Sequence, residues 1–403
     1  MPSTEQLDHK APSRPLDRES IPNFDLRPLF SGSDTERAAL VQAIRAACLE
    51  TGFFYIHNSC VEGSVIEKTL AAMKSFFDLP DDSPLKQDIH NKHVNGLKGW
   101  TPIFEEPAYQ KDTVAHLESF DISQQLTPEQ CKSVGIDPNI WPDLPEFKNE
   151  VLDYNAQVTR LGRAISEVFS EILGLERGFI SEHSGIRAPR TMRLLHYPAN
   201  DAPADTRNVG IAAHTDFECF TIMNQTAPGL ELTDINGDWR EAPSDIGTFT
   251  IILGDMIERF SNGWLKATGH RVVNTPWTRY SMILFFAIDG DYQVAPLPHF
   301  VSAENPPQYE AVTQDAHIRR EMDRANAYLE MASDQSLGSN PVEASTLSGS
   351  GLFLEKPQEQ VPHQNKAADH QASDTDKGKK HRRDMIVGRI ATDGGCKHEH
   401  TQP

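Results

Sequence analysis

The sequence predicts a mainly β protein with α-helices, built as an antiparallel sandwich or barrel behind a helical N-terminal part. Between residues 190 and 290, seven short apolar segments are separated by turns, with no helical period among them. Upstream, Phe147, Val151, Tyr154, Val158, Leu161, Ile165, Val168 and Ile172 recur at alternating steps of four and three. That is the spacing of one buried helical face. Beyond 335 the chain turns to Ser, Gly, Asp, Lys and His with hardly an aromatic, the composition of a disordered tail.

Taken in order, residues 1–20 are polar and Pro-bearing and read as a flexible N-terminus. "IPNFDL" (21–26) alternates like a short strand. A helix fits 36–50, with Leu40, Ile44, Ala47 and Cys48 on one face and Gly52 near its end; "GFFYIHN" follows as a β-type run. A second helix fits 62–77, stopped by Pro80, and the long one fits 144–173, stopped by Gly174. Strands are expected near 191–197, 209–214, 218–225, 229–233, 248–253, 269–274 and 279–287, with an Asn-Gly hairpin signal in "DINGDW" (234–239). A charge-rich helix returns at 307–331. The expected organisation is 1–20, an N-terminal helical and strand region 21–185, a β-core with its C-terminal helix at 186–332, and a tail at 333–403.

The 403 residues carry 38 Lys and Arg against 58 Asp and Glu, a formal net charge of -20. Nucleic acid and anionic membrane surfaces are therefore excluded as partners, since both need clustered cations. The five cysteines are scattered, odd in number and without CxxC spacing, so a disulfide framework or zinc module is not expected. The N-terminus has no apolar signal segment, and no run is long enough to span a bilayer. A cytoplasmic protein, monomeric, is the expectation. The run "KGKKHRR" (377–383) has acidic residues around it and reads as solvated tail.

"AAHTDFECFTI" (212–222) places His214 and Asp216 in an otherwise apolar strand, where unpartnered polar groups are costly. Alone, this spacing proves little: with 16 histidines, on the order of one HxD arises by chance. Downstream, His270 opens another apolar strand in "LKATGHRVVN". In a double-stranded β-helix such residues meet at one end of the barrel. Two histidines and one carboxylate then form the triad that binds Fe(II) and leaves coordination positions open. In "TRYSMILFF" (278–286), strand alternation puts Arg279, Ser281, Ile283 and Phe285 on one face. A buried Arg and Ser side by side suit a carboxylate, which a guanidinium fork meets in bidentate fashion.

With HTD (214–216), His270 and Arg279-Tyr280-Ser281 in that order, the chain resembles the Fe(II)/2-oxoglutarate-dependent dioxygenases, and more narrowly their isopenicillin N synthase-like branch. The resemblance runs from about 20 to 330 and takes in "RLLHYP" (193–198), "PGLELTDINGDWREAP" (228–243) and "GDMIERFSNG" (254–263). It implies a double-stranded β-helix (jelly-roll) core with a helical N-terminal part and a long packing helix. It also implies Fe(II) held by His214, Asp216 and His270, with 2-oxoglutarate as cosubstrate, O2, and ascorbate as a stimulant. Arg279 and Ser281 would hold the distal carboxylate of 2-oxoglutarate, and Tyr197 would add a hydrogen bond. The family often has Asn where this chain has Leu195, so that polar contact is missing. His196 is either a polar group in the pocket or a satisfied neighbour on the opposite strand face.

The implied reaction is oxidation of a C–H bond of a small organic molecule, by hydroxylation or desaturation, in secondary metabolism. Phe285 and Phe217 are expected beside the substrate. The segments 99–107 and 116–122 are expected as lids, with Trp100, Phe104 and Phe120 as apolar contacts. Lys98, His116 and Arg193 are candidates for neutralising an acidic group on the substrate. Cys219 reads as core filling. Two rival readings remain: an oxidase of the same fold that does not use 2-oxoglutarate, as isopenicillin N synthase and aminocyclopropane-carboxylate oxidase do not, and a non-catalytic metabolite-binding barrel.

Overall fold

The structure, a computed structural model, describes residues 7, 11–16, 18, 21–93, 98–200, 207–244 and 247–337. Two sheets face each other. One has eight strands in the order 23–25, 53–57, 249–253, 220–225, 279–286, 192–197, 118–122, 99–101. The other has five, in the order 14–15, 239–241, 230–233, 270–272, 211–214. Pairing within the β-core is antiparallel throughout. This is the jelly-roll expected from closely spaced strands without intervening helices.

Strand Arg279–Phe286 organises the larger sheet. Its register sets Ser281 opposite both Gln225 and Leu195, and Arg279 opposite Tyr197. Because side chains alternate, Ile283 and Phe285 point between the two sheets, where Leu195, Tyr197, Met223 and Val272 also pack. Tyr280, Met282, Leu284 and Phe286 point the other way, into a core shared with the helices. Each large apolar side chain so buried contributes roughly 1.5–3 kcal/mol.

Helix Asp34–Glu50 begins at a capping box in which Ser33 and Glu36 satisfy each other's backbone N–H groups. Helix Pro145–Ile172 buries the eight residues that its period picks out and ends before Gly174, which sits at φ +71°. Gly162 lets it approach closely: a Cβ there would lie 2.5 Å from the Phe286 ring.

Some expectations change. Gly99–Thr101 and Glu118–Ile122 are buried strands at the edge of the larger sheet, not lids. Within 1–20, Arg14–Pro15 forms a strand paired with Arg240–Glu241, so that stretch of the expected flexible N-terminus is tied to the smaller sheet. A short helix, Asp255–Phe260, has no counterpart in the reading above. The last helix starts at Gln314, not 307, and runs to Leu337, past the expected boundary at 333. The remainder of the expected tail, with "KGKKHRR", lies outside the described residues. No helix among the described residues is long and apolar enough to cross a membrane.

Candidate active site

His214 ends one strand of the smaller sheet and His270 begins its neighbour; the two are register partners. That pairing brings together side chains 56 positions apart, with ring centroids separated by 4.2 Å. Each Nδ1 faces a carbonyl two residues upstream, Ala212 O at 2.8 Å and Thr268 O at 3.2 Å. A carbonyl only accepts, so each Nδ1 carries a hydrogen, and each Nε2 is turned toward Asp216. The backbone bond that a core histidine makes is the same bond that would orient a metal ligand.

Asp216 lies in the loop after the strand. Its Oδ2 accepts the Thr221 hydroxyl, leaving Oδ1 at 3.6 Å from His214 Nε2 and 3.5 Å from His270 Nε2. The loop is pinned by Asp255 N–H donating to Asp216 O (2.8 Å) and Met256 N–H to Glu218 O (3.1 Å). One ligand atom from each of His214, Asp216 and His270 falls within 4.8 Å of the others, and all three residues are buried. Burial, reinforced by His270, drives the His214 imidazole well below its ordinary value and so keeps it neutral. Burial also lifts the Asp216 and Glu218 carboxyls above the usual range. Two imidazoles and a carboxylate on one face suit a divalent iron.

Deeper between the sheets, Arg279 is fully enclosed. Its Nη2 donates to Gln225 Oε1 at 2.6 Å, its Nε to Ala227 O at 3.3 Å, and its guanidinium lies 4.7 Å from the Tyr197 ring centre. Nη1 has no partner, and neither does the buried Ser281 hydroxyl two residues on. Two orphaned donors on one strand face are expensive unless an acceptor meets them. A carboxylate is the matching acceptor, so the donor set fits 2-oxoglutarate. Leu195, opposite Ser281, supplies only an apolar surface. His196 lies on the helix-facing side, bonded to Glu118 Oε1 at 2.7 Å and stacked on Tyr280, and takes no part in the pocket.

A cavity of about 570 Å³ opens over His214 and Asp216. Of the residues expected beside the substrate, Phe285, Phe217 and Arg193 line this cavity. Trp100 and Phe120 do not: both are buried in the helix-side core, and Trp100 Nε1 donates to Glu118 Oε2 at 2.7 Å. Phe104 is 49% exposed and lies against His116, away from the cavity. An alternating aromatic run cannot say which face meets the cavity, and here the helices claimed it.

Arg193 reaches the cavity with its charge already met. Its guanidinium holds Glu106 at 2.7 Å and Asp121 at 2.8 Å. Lys98 donates to the Asp137 carbonyl in a neighbouring hollow of about 330 Å³. Sequence reasoning missed Tyr109, whose ring stacks on His214, and Ile318 and Met322 of the last helix, which complete the wall. Their helical spacing was legible; their destination depends on where that helix docks. Cys219 is core, as expected.

The fold and the site define a non-haem iron oxygenase. Residues 21–144 match the family of non-haem dioxygenase N-terminal regions in morphine synthesis, and residues 189–288 match the 2OG-Fe(II) oxygenase superfamily. A 2-oxoglutarate-dependent dioxygenase of Penicillium crustosum is 32% identical over 287 residues, covering 67% of this chain and 85% of that protein. A 2-oxoglutarate-Fe(II) type oxidoreductase of Emericella nidulans is 28% identical over 326 residues, 76% of this chain and 92% of its own. Among solved structures, a 2OG-Fe(II) oxygenase family protein from Caulobacter crescentus superposes with a TM-score of 0.66 at 27% identity, covering 76% of this chain and 99% of that one. The rice dioxygenase for auxin oxidation, at 24% identity and a TM-score of 0.59, shares the fold. The chain belongs to the Fe(II)/2-oxoglutarate-dependent dioxygenase superfamily. It is an oxidoreductase that uses Fe(II), 2-oxoglutarate and O2 on a small molecule. Relatives named as 2-oxoglutarate-dependent dioxygenases favour that activity over the two rival readings, the oxidase without 2-oxoglutarate and the non-catalytic barrel.

Proposed function

We propose that this enzyme hydroxylates or desaturates a C–H bond of a small organic metabolite in secondary metabolism, with His214, Asp216 and His270 holding the iron. Iron with bound 2-oxoglutarate supplies the oxidising power, releasing succinate and CO2. The protein's part is to bind, orient and exclude water. Ala212 O and Thr268 O fix the two imidazoles, and Thr221 fixes the carboxylate. Arg279 Nη1 and Ser281 Oγ hold the distal carboxylate of 2-oxoglutarate, with Tyr197 alongside. Phe217 and Phe285 wall the substrate off from solvent over the metal.

The observation that carries this reading is the pair of orphaned buried donors, Arg279 Nη1 and Ser281 Oγ, on the inner face beside the triad. The test is anaerobic: Fe(II), then 2-oxoglutarate, added to metal-free protein while the visible charge-transfer band of the keto-acid chelate is followed. A band in the parent, weakened in Arg279→Ala and absent in Asp216→Ala, is expected. Iron binding without a band sinks the cosubstrate assignment, and no iron binding sinks the triad. The reading also places the enzyme in the cytoplasm as a monomer, supported by its scattered cysteines and high negative charge; sedimentation checks the latter.

A further inference from the structure

Gln225 ends strand Phe220–Gln225 and is the register partner of Ser281. Opposed residues of an antiparallel pair show their side chains on one face. Gln225, Ser281 and Leu195 therefore form a row across the inner face of the larger sheet. One same-face step along, Met223 and Ile283 line a small hollow together with His214, Asp216 and His270. Gln225 is buried, and its Oε1 accepts Arg279 Nη2 at 2.6 Å. A guanidinium only donates, so the oxygen is the amide atom that must face it, and the orientation of the amide is fixed. Its Nε2 then points elsewhere, buried and without an acceptor among the described residues. The Ser281 hydroxyl across from it does not take the hydrogen; it too is orphaned, as is Arg279 Nη1. Holding Arg279 uses the amide oxygen alone. That role leaves a buried NH2 unmet, which is costly.

Resting on the reading of Arg279 and Ser281 as the cosubstrate anchor, we propose that Gln225 is its third member: Oε1 braces the guanidinium, and Nε2 donates to the distal carboxylate of 2-oxoglutarate. A carboxylate offers about four lone-pair sites, enough for three donors. Leu195, on the other flank of Ser281, has no donor to give. The amide donor comes instead from the strand that carries Thr221, which bonds the metal-binding Asp216. One strand thus serves both the iron ligand and the far end of the cosubstrate. Three donors select a keto acid whose far end is a carboxylate over one of equal length that ends in a methyl group.

The test uses the full chain loaded with Fe(II) under nitrogen and two keto acids, 2-oxoglutarate and 2-oxopentanoate, which lacks the distal carboxylate. Dissociation constants are read from the charge-transfer band of each chelate and checked by calorimetry. Gln225→Leu should weaken 2-oxoglutarate about tenfold and leave 2-oxopentanoate unchanged. Gln225→Met, close in volume and equally without a donor, carries the test if the Leu variant fails to fold. The same substitution is then made in Arg279→Ala, where no guanidinium remains to brace. A further several-fold loss of 2-oxoglutarate is expected there, since Nε2 acts on the ligand itself. No further loss in that background reduces Gln225 to a prop for Arg279 and overturns the proposal. Undiminished 2-oxoglutarate binding in Gln225→Leu, or equal losses for both keto acids, overturns it as well. No band with 2-oxoglutarate in the parent overturns the cosubstrate reading and this proposal with it, whereas a band in the parent without these losses overturns this proposal alone.

Discussion

Tyr109 lies flat on His214, with ring centroids 4.3 Å apart and planes 13° from parallel. The imidazole is therefore held from two sides, by this stack and by the Ala212 carbonyl on Nδ1. Tyr109 also lines both the large cavity and a smaller hollow that Tyr197, His270 and Ile283 share. Losing a partner that orients a metal ligand commonly costs ten- to a hundredfold in metal affinity. Tyr109→Ala should weaken Fe(II) binding by about tenfold in an anaerobic titration, while Tyr109→Phe, which keeps the stack, stays near the parent. Equal affinities for Ala and Phe variants would remove the stack from the account.

Arg279 has one free Nη and a fixed plane, a geometry that lysine cannot copy. Replacing it by Lys keeps the charge and loses the fork. The KM for 2-oxoglutarate should rise by about tenfold or more in Arg279→Lys and further in Arg279→Ala, with a smaller rise in Ser281→Ala. An unchanged KM in Arg279→Lys would mean that charge alone anchors the cosubstrate.

Arg193 stands between two buried carboxylates, Glu106 and Asp121. Removing the cation leaves both without compensation, so Arg193→Met should destabilise the fold by about 3–5 kcal/mol in denaturant titrations. Burial and the Glu106 charge lift Asp121 to about 6, against the pull of Arg193. In the folded state Asp121 thus keeps its proton to higher pH than the unfolded value of about 4. Its contribution is full below that value and fades as pH rises through about 6. Asp121→Asn should flatten the pH dependence of stability between about 4 and 6; an unchanged slope assigns that dependence elsewhere.

The N-terminal segment braces the strand that bears His270. Arg271, next in line, donates to Glu231 Oε2 and to the Ala11 carbonyl, each at 2.6 Å, and lies 4.2 Å over Trp239. Ser13 donates to Glu231 Oε1, also at 2.6 Å. Deleting residues 1–16 should lower stability by about 1–2 kcal/mol and weaken iron binding together. A loss of stability with iron affinity unchanged would make the brace purely structural.

Much of this molecule was legible in its sequence because the signals were periodic and local. A step of four and three marks the face of Pro145–Ile172, and strict alternation divides Arg279–Phe286 into a polar-headed inner face and an apolar outer one. The triad was legible because His214 and His270 stand where strands want hydrophobes. Tertiary structure alone decided the rest. Trp100 and Phe120 belong to the helix-side core, because the strands that carry them joined the edge of the larger sheet. Glu106 and Asp121, 15 residues apart, meet on Arg193 far down the chain, and no local period announces such a meeting. The cavity over His214 and Asp216 is closed by Ile318 and Met322 from a helix whose docking depends on long-range packing. The intrinsic pattern of a segment sets which face it buries; what lies across from that face is set by the whole chain closing on itself.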